Sequence, residues 1–321
     1  MMSMGFPVRV LTVALLCTAM TACSSVANFR KPIEDFAQAT RDATDALSGL
    51  DKQVTDGYSN LIRKRVVTGQ SLASIKTGDC LTESQRCRIV AKDKEGKQEQ
   101  LPPEPAMQKM VVLMGAVRTY ADGLAGIVNA DTAAQVTTQV SATVGSLKNL
   151  AGTVAKLGGS DSTSAVKLAD YATPVGDLFS RLAGQYVAKV QLDGLRRATV
   201  DARPVVASAA RVFETAANEA SRVQRALMAE EVSKGFDALR NSRDEKHVDE
   251  VVAIAARYDR VLLAKPPVIF QQLRQSHDSL VAKIQDENVT LAEVMARIDA
   301  FAAEAKGLAD IVKEFQAVGN K

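Results

Sequence analysis

Residues 29–61 read FRKPIEDFAQATRDATDALSGLDKQVTDGYSNL, and this stretch decides the fold. Its apolar residues recur at alternating intervals of three and four, which is the spacing of a helix face and of a coiled-coil seam. The charged residues fall largely off this stripe and predict a solvated face. We therefore expect one long helix over residues 32–65, with Pro32 in its first turn. The stripe comprises Phe29, Ile33, Phe36, Thr40, Ala43, Leu47, Leu50, Val54, Tyr58 and Leu61.

Helical spacing continues towards the C-terminus. A helix is expected after Pro103, and Asp131 is predicted to cap the helix that follows it. That second helix should end at Gly158-Gly159-Ser160, which predicts both a C-cap and a joint. The apolar face of the first helix comprises Met110, Leu113, Val117, Tyr120, Leu124 and Ile127, and that of the second Val136, Val140, Leu147, Leu150, Val154 and Leu157.

Prolines and capping boxes divide the second half of the chain. Residues 162–200 predict a helical tract that Pro174 should kink or split, and Pro204 is expected to open a long helix to about residue 241. Ser242 to Glu245 and Thr290 to Glu293 match the capping box, and Pro266-Pro267 marks a turn between them. The stripe of the terminal helix comprises Leu291, Val294, Ile298, Phe301, Ala305, Leu308, Val312 and Phe315.

The N-terminus resembles a bacterial lipoprotein signal peptide. An apolar run, too short to remain a membrane-spanning helix, ends in Met20-Thr21-Ala22-Cys23, and Arg9 is the only charged residue before that cysteine. The resemblance implies removal of residues 1–22 and acylation of Cys23, with palmitate among the acyl chains. Because Ser24 rather than Asp follows the cysteine, the resemblance also implies an anchor in the outer membrane, facing the periplasm. Anchoring in the inner membrane is the alternative location. An ordinary cleaved signal peptide is the alternative.

Composition narrows the classes of partner. The formal net charge is +3, which gives no electrostatic footprint for nucleic acid, and export would remove nucleic acid as a partner. Apolar residues make up 46% of the chain and suit closely packed helices, because Ala and Val are frequent among them. Aromatic residues make up only 4%, with no Trp, which disfavours a glycan-binding groove.

Residues 68–104 break the helical pattern and contain Cys80 and Cys87. In the oxidising compartment that the signal peptide implies, we expect these cysteines to form a disulfide, which would contribute about 2.5 kcal/mol by the chain-entropy argument. Their separation is wider than the C-x-x-C of reactive redox pairs. The segments around Lys94-Glu95-Gly96-Lys97 predict a short hairpin, with a disordered charged loop as the alternative.

These patterns predict an all-α fold. We expect an elongated antiparallel bundle of about seven or eight helices with coiled-coil-like seams and a small disulfide-stapled insert at residues 68–104. One domain over residues 23–321 is the preferred division. Two subdomains, at residues 23–157 and 161–321, are the alternative.

The chain has two histidines. His277 shares a helical face with Phe270, Leu273, Leu280 and Ile284, which predicts a core or boundary histidine rather than a ligand. His247 has Asp244 and Glu250 one turn away on either side, a spacing that could hold a metal. We favour a solvated acidic first turn, which suits the helix dipole, and expect neither a metal nor a cofactor.

The element His247-x-x-Glu250 resembles the H-x-x-E of imelysin-like proteins, which are helical envelope proteins linked to iron uptake. Their motif normally has a glycine where this chain has Glu245. The resemblance implies a metal- or haem-associated binding protein in which His247, Glu250 and Asp244 would act.

Motifs of catalysis are lacking in the sequence: it has no G-x-S-x-G, no H-E-x-x-H, no P-loop and no Rossmann glycine pattern. We therefore predict a non-enzymatic outer-membrane lipoprotein, tethered to the membrane through Cys23, that binds or scaffolds an envelope protein or a peptidoglycan-associated component. An imelysin-like binding protein is the first alternative. A periplasmic immunity protein or inhibitor is the second.

Overall fold

The structure, a computed structural model, describes residues 9–69, 71–75, 89–93, 96, 98–101, 107–158, 187–242, 244–263, 266–285 and 287–319. This part of the chain contains seven helices and a small sheet, so the predicted helical bundle is confirmed. The elements are α1 (Arg9–Val67), β1 (Ser71–Ile75), β2 (Ile89–Asp93), β3 (Gln98–Leu101), α2 (Gln108–Val128), α3 (Ala133–Gly158), α4 (Val187–Ser242), α5 (Glu245–Leu263), α6 (Pro266–Ile284) and α7 (Leu291–Gly319).

The chain forms two compact units, and each is assembled from three separate stretches. Every passage from one unit to the other falls inside a helix, and Gly158 at the end of α3 lies within the first unit rather than at a division. Unit 1 comprises Met1–Arg41, Gly115–Ala210 and Gln271–Ala302, and unit 2 comprises Asp42–Met114, Arg211–Phe270 and Ala303–Lys321.

Helix α1 buries the stripe that its sequence predicts, from Phe29 to Val54. The helix begins at Arg9, however, so the expectation that Pro32 lies in its first turn is wrong. A proline inside a helix removes one backbone hydrogen bond and costs about 3 kcal/mol. Pro32 is itself buried on the same face as Ile33 and Phe36, and the burial of this face offsets that cost.

Helix α4 repeats this behaviour. It runs without a break from Val187 to Ser242, so the expectation that Pro204 opens a helix is also wrong. Pro204 is exposed, while its neighbours Ala202 and Val205 are buried, so packing of the opposite face holds the helix together across the proline. The tract around Pro174 falls in residues 159–186, outside the described residues.

In unit 1, glycines set the approach of α2, α3 and α4. A Cβ atom built at Gly123 of α2 would lie 2.5 Å from Thr143 Oγ1 and 3.2 Å from Thr143 Cα in α3. A Cβ at Gly126 would meet the side chain of Gln139, and one at Gly194 of α4 would lie 2.7 Å from a methyl group of Val140. The contact at Gly123 includes the backbone of Thr143 and therefore requires a residue without a side chain, whereas Gly126 and Gly194 meet side-chain atoms. The apolar face predicted for α2 is buried along its full length.

Two polar side chains, the buried Gln191 and the exposed Arg30, donate hydrogen bonds to the end of α2 in unit 1. The amide of Gln191 in α4 donates to the carbonyl oxygens of Ile127 (3.1 Å) and Ala130 (2.8 Å). The Arg30 guanidinium of α1 donates to the carbonyl oxygen of Val128 at 3.3 Å. The last carbonyl groups of a helix lack partners within the helix, so α1 and α4 supply donors here.

Two helix starts show reciprocal capping. Thr290 and Glu293 form the predicted capping box: Glu293 Oε2 accepts the Thr290 N–H at 2.7 Å, and Thr290 Oγ1 accepts the Glu293 N–H at 3.2 Å. At α3 the prediction of Asp131 as the cap is wrong by one residue. Thr132 Oγ1 accepts the Gln135 N–H at 3.2 Å, while Gln135 Oε1 accepts the N–H groups of Thr132 and Asp131.

Unit 2 contains the interruption of the helical pattern, which is an antiparallel sheet with the order β1-β2-β3. The predicted hairpin is confirmed, because β2 pairs with β3 and Gly96 lies between them at φ 81°. Strand β1 was not predicted: SLASI is short and lacks a clear alternation of apolar and polar residues. Cys80 and Cys87 fall in residues 76–88, outside the described residues, so their pairing stays a prediction.

The helices of unit 2 also pack closely. A Cβ at Gly49 of α1 would lie 2.7 Å from Val312 Cγ1 of α7, and the Gln53 amide donates to the Val312 carbonyl oxygen at 2.6 Å. Phe213 and Phe270 stack with ring centroids 4.2 Å apart.

The stripe predicted for α7 is buried from Val294 to Val312. Leu291 was also expected in this stripe, but it is exposed because it lies at the first position of the helix.

Two alanine substitutions in α2 should have opposite effects on stability. We expect Gly123→Ala to lower the free energy of unfolding by about 1–3 kcal/mol, because the added methyl group overpacks the contact with Thr143. Gly115→Ala is the matched control: a Cβ there meets nothing within 4 Å, and alanine favours the helix by up to about 1 kcal/mol. Urea unfolding followed by circular dichroism measures both. Equal stabilisation by the two substitutions would contradict the proposed close approach.

Candidate functional site

The core of unit 1 contains a histidine–tyrosine pair. His277 of α6 is buried, and its Nε2 lies 3.0 Å from the hydroxyl oxygen of Tyr120 in α2. The imidazole ring also lies 6.1 Å from the ring of Phe36, which is 6.1 Å from Phe301. The shared face in the sequence predicts the buried position of His277. It does not reveal Tyr120 as its partner, since the two residues are far apart in the chain.

Burial controls the protonation of this pair. It lowers the pKa of His277 to about 3, with a further contribution from the positive charge of Arg203, and it raises the pKa of Tyr120 well above its usual value. Both side chains are therefore neutral near pH 7. A general acid or base requires a pKa near the working pH and access to a reactant, and this buried pair has neither. The pair holds α2 against α6.

The surroundings of His277 on α6 are tied to neighbouring helices. Ser276 Oγ donates to the carbonyl oxygen of Arg297 in α7 at 2.8 Å, and Arg203 of α4 forms an ion pair with Asp278 at 3.0 Å. Burial raises the pKa of Asp201 on α4, and the positive charge of Arg197, one helical turn away, opposes that shift. These contacts position His277 without opening a path to it.

The other histidine belongs to a helix cap. Asp244 Oδ1 accepts the Lys246 N–H at 3.1 Å, and the Asp244 carbonyl oxygen accepts the His247 N–H at 3.0 Å. Asp244 therefore caps α5, and the prediction that Ser242 begins a capping box there is wrong. Ser242 is the last residue of α4, and its hydroxyl accepts the Asp244 N–H at 3.4 Å.

The candidate metal ligands His247, Asp244 and Glu250 are only partly brought together. His247 Nδ1 lies 3.1 Å from Ser242 Oγ and 3.9 Å from Asp244 Oδ2, while Glu250 is exposed on the next turn. Among the described residues, no three side chains of His, Cys, Asp or Glu are grouped so that they could hold a metal ion. The contacts of His247 are those of a helix start.

The predicted lipidation site lies close to buried side chains of α1. Cys23 is a residue of α1, at a position whose side chain is not described. The first described buried side chains beyond it are Val26, Phe29 and Pro32, the first only three residues away. Packed side chains of α1 are therefore found within three residues of the cysteine.

In the described part of the chain, α2 is long and apolar enough to cross a membrane by length and composition. Its residues Val117, Tyr120, Ala121 and Leu124 are fully buried in unit 1. The core position of this helix accounts for its apolar composition.

No family model, no curated protein and no solved structure matches this chain. Function is therefore inferred from the side chains themselves, from the cysteine motif near the N-terminus and from the surfaces that the helices leave exposed.

Acid should destabilise the protein through His277. Its pKa is about 3 when folded and 6.5 when unfolded, so below pH 6.5 the unfolded chain binds the proton that the core excludes. The contribution of His277 to stability is complete above pH 6.5 and falls by about 1.4 kcal/mol for each pH unit down to about 3. Urea unfolding at pH 7, 6 and 5 measures this slope.

Two substitutions isolate that effect. His277→Gln should remove this part of the slope, whereas His247→Gln is the control, because it keeps His277 in the core and should therefore keep the contribution of His277. The same slope in the His277→Gln variant and in the unsubstituted protein would show that acid acts through other groups.

Proposed function

We propose that this protein is a non-enzymatic lipoprotein of the outer membrane, anchored through acylated Cys23 and facing the periplasm, which binds or scaffolds another component of the envelope. The observation that carries the proposal is Met20-Thr21-Ala22-Cys23 at the end of an apolar run, followed at once by packed structure. Attached acyl chains contribute about 0.8 kcal/mol for each buried methylene, so several chains make such an anchor effectively permanent.

The spacing between the proposed anchor and the core favours a scaffold held close to the membrane. Val26, whose side chain is buried, lies three residues after Cys23. Even a fully extended chain of that length spans only about 10 Å. Unit 1 would therefore stay beside the lipid surface, and its partner would have to reach it there.

The titratable side chains support a binding role rather than catalysis. His277 and Tyr120 are buried and neutral, and His247 contributes to the start of α5. A general acid–base site needs a group that is both exposed to substrate and shifted towards neutral pH. His277 is the histidine whose pKa shift is large, and it is buried.

The insert is the proposed contact surface. It interrupts the helices with β1, β2 and β3, and exposed residues Lys92 and Gln98 pair across its hairpin. We propose that a disulfide between Cys80 and Cys87 staples the connection from β1 to β2. Loops and small excursions on a rigid scaffold commonly carry binding functions.

Lipidation should depend on one of the two N-terminal cysteines. We expect Cys23→Ser to abolish incorporation of labelled palmitate and to release the protein from the membrane fraction, because the acylated thiol is absent. Cys17→Ser is the matched control and should retain both, since Cys17 lies within the segment that processing removes. Labelling that survives in Cys23→Ser would refute the anchor.

The insert should contact the partner in intact cells. A photo-cross-linking residue at Gln98 is expected to capture one reproducible envelope protein or a peptidoglycan fragment, identified by mass spectrometry. The same residue at Lys109, exposed on α2, is the control and should capture much less. Equal capture at the two positions, or none at Gln98, would remove the insert as the contact surface.

A further inference from the structure

We propose that this protein self-associates through one side of the α4–α5 hairpin, where two copies related by a twofold axis form a four-helix bundle. This inference goes beyond the anchored scaffold and does not depend on acylation of Cys23. It rests on three exposed apolar side chains that lie on the same side of the hairpin and on the charges that flank them.

The packing between α4 and α5 fixes which sides are free. The two helices are joined by a short connection between Ser242 and Glu245. A Cβ at Gly235 would lie 3.0 Å from Val251 Cγ2 and 3.6 Å from Ile254 Cδ1. Gly235 of α4 therefore faces Val251 and Ile254 of α5. All of these residues belong to unit 2.

Exposed apolar side chains follow these contact positions. Phe236 and Val252 are 55% and 60% exposed, and each comes one residue after a residue of the contact, a rotation of about 100° around its helix. Because the two helices run in opposite directions, these rotations bring both side chains to the same side of the hairpin. Val248, 42% exposed, lies one turn before Val252 on that side. We call this surface, formed by Phe236, Val248 and Val252, the apolar side.

Scattered exposed apolar residues are ordinary, but a contiguous exposed cluster marks an interaction surface. On α5 the cluster continues with the exposed Ala256, and on α4 with the half-buried Leu239, both of which the helical rotation places towards this side. Phe236 is a large apolar side chain of the kind that anchors interfaces. The apolar side therefore has the character of an interface core.

The rims of the apolar side carry opposite charges. Arg240 lies on the outer rim of α4, while Glu245 and Asp249 lie on the outer rim of α5, and all three are exposed. Since Gly235 is level with residues 251–254, Arg240, five residues further along, is level with residues 246–249 of the antiparallel α5. The basic residue of one rim is thus level with the acidic residues of the other.

This arrangement selects the partner and its orientation. A twofold axis parallel to the helices places α4 of one copy on α5 of the other, so that each Arg240 meets the acidic rim formed by Glu245 and Asp249. A twofold axis perpendicular to the helices would instead stack α5 of one copy on α5 of the other. The two acidic rims would then face each other, which is repulsive. The surface is complementary to itself in the first orientation, as an isologous dimer interface must be. A second copy of this chain is therefore the occupant that we assign.

The oligomeric state of the full-length chain tests the contacts made by the apolar side. Light scattering and sedimentation in mild detergent measure its mass. We expect a dimer for the unsubstituted protein, and at least a tenfold rise in the dissociation constant for Phe236→Glu or Val252→Glu. Val112→Glu is the control, because Val112 is also exposed (53%) but lies on α2. Circular dichroism confirms that each variant is folded. A monomer at all concentrations, or an equal effect of Val112→Glu, overturns the proposal.

Exchange of the rim charges tests the orientation and separates a second copy from any other partner. Arg240→Glu and Asp249→Arg should each dissociate the dimer, because each places like charges on both symmetric contacts. Mixed in equal amounts, the two variants should form a heterodimer, since every contact then joins opposite charges. A mixture that associates no better than either variant alone overturns the twofold arrangement. A photo-cross-linking residue at Val248 gives a second test in cells. Capture of a different envelope protein there, without any adduct between two copies of this chain, also overturns the proposal.

Discussion

The close approach of α2 to its neighbours is the constraint on which unit 1 depends. At Gly123 the backbones of α2 and α3 are so near that a methyl group has no room, and a Cβ atom at Gly194 of α4 would lie 2.7 Å from a side-chain methyl group of Val140 in α3. Small residues at such positions allow helix backbones to approach closely, so that little space is left between the helices. Ala and Val are large enough to fill that space, and aromatic rings are not needed. The scarcity of aromatics and the glycine contacts are thus two aspects of one packing arrangement.

Tight packing also dictates how buried polar groups are used. Gln191 supplies donors to the carbonyl groups at the end of α2, and the hydroxyl of Ser276 joins α6 to α7. His277 remains neutral because the core cannot solvate its charged form. In each case a polar side chain has a partner on another helix, which fixes the alignment of the two helices more specifically than apolar contact does. The polar groups of this core therefore hold its helices in register.

Much of this fold could be predicted from the sequence, because the apolar stripes and the Thr290 capping box are local patterns. The prolines show where local reasoning fails: Pro32 and Pro204 were expected at helix starts, but burial of the helix face around each one keeps the helix continuous. Strand β1 lacks a pattern of its own, since its partner is β2. The pairing of Tyr120 with His277 and the apolar side of the hairpin both arise from residues distant in sequence, and neither can be predicted without the packing of the helices.

The interleaving of the two units has a consequence for how the chain acquires its structure as it is made. Unit 1 needs residues up to Ala302, and unit 2 needs Ala303–Lys321, so neither unit is complete until nearly the whole chain has emerged. A chain that is synthesised or exported from its N-terminus therefore cannot finish one unit before it starts the other. Contacts between residues so far apart in sequence also slow folding. The newly emerged helices would stay without their partners for most of that time, and the emergence of residues 303–321 would be the event that allows both units to be completed.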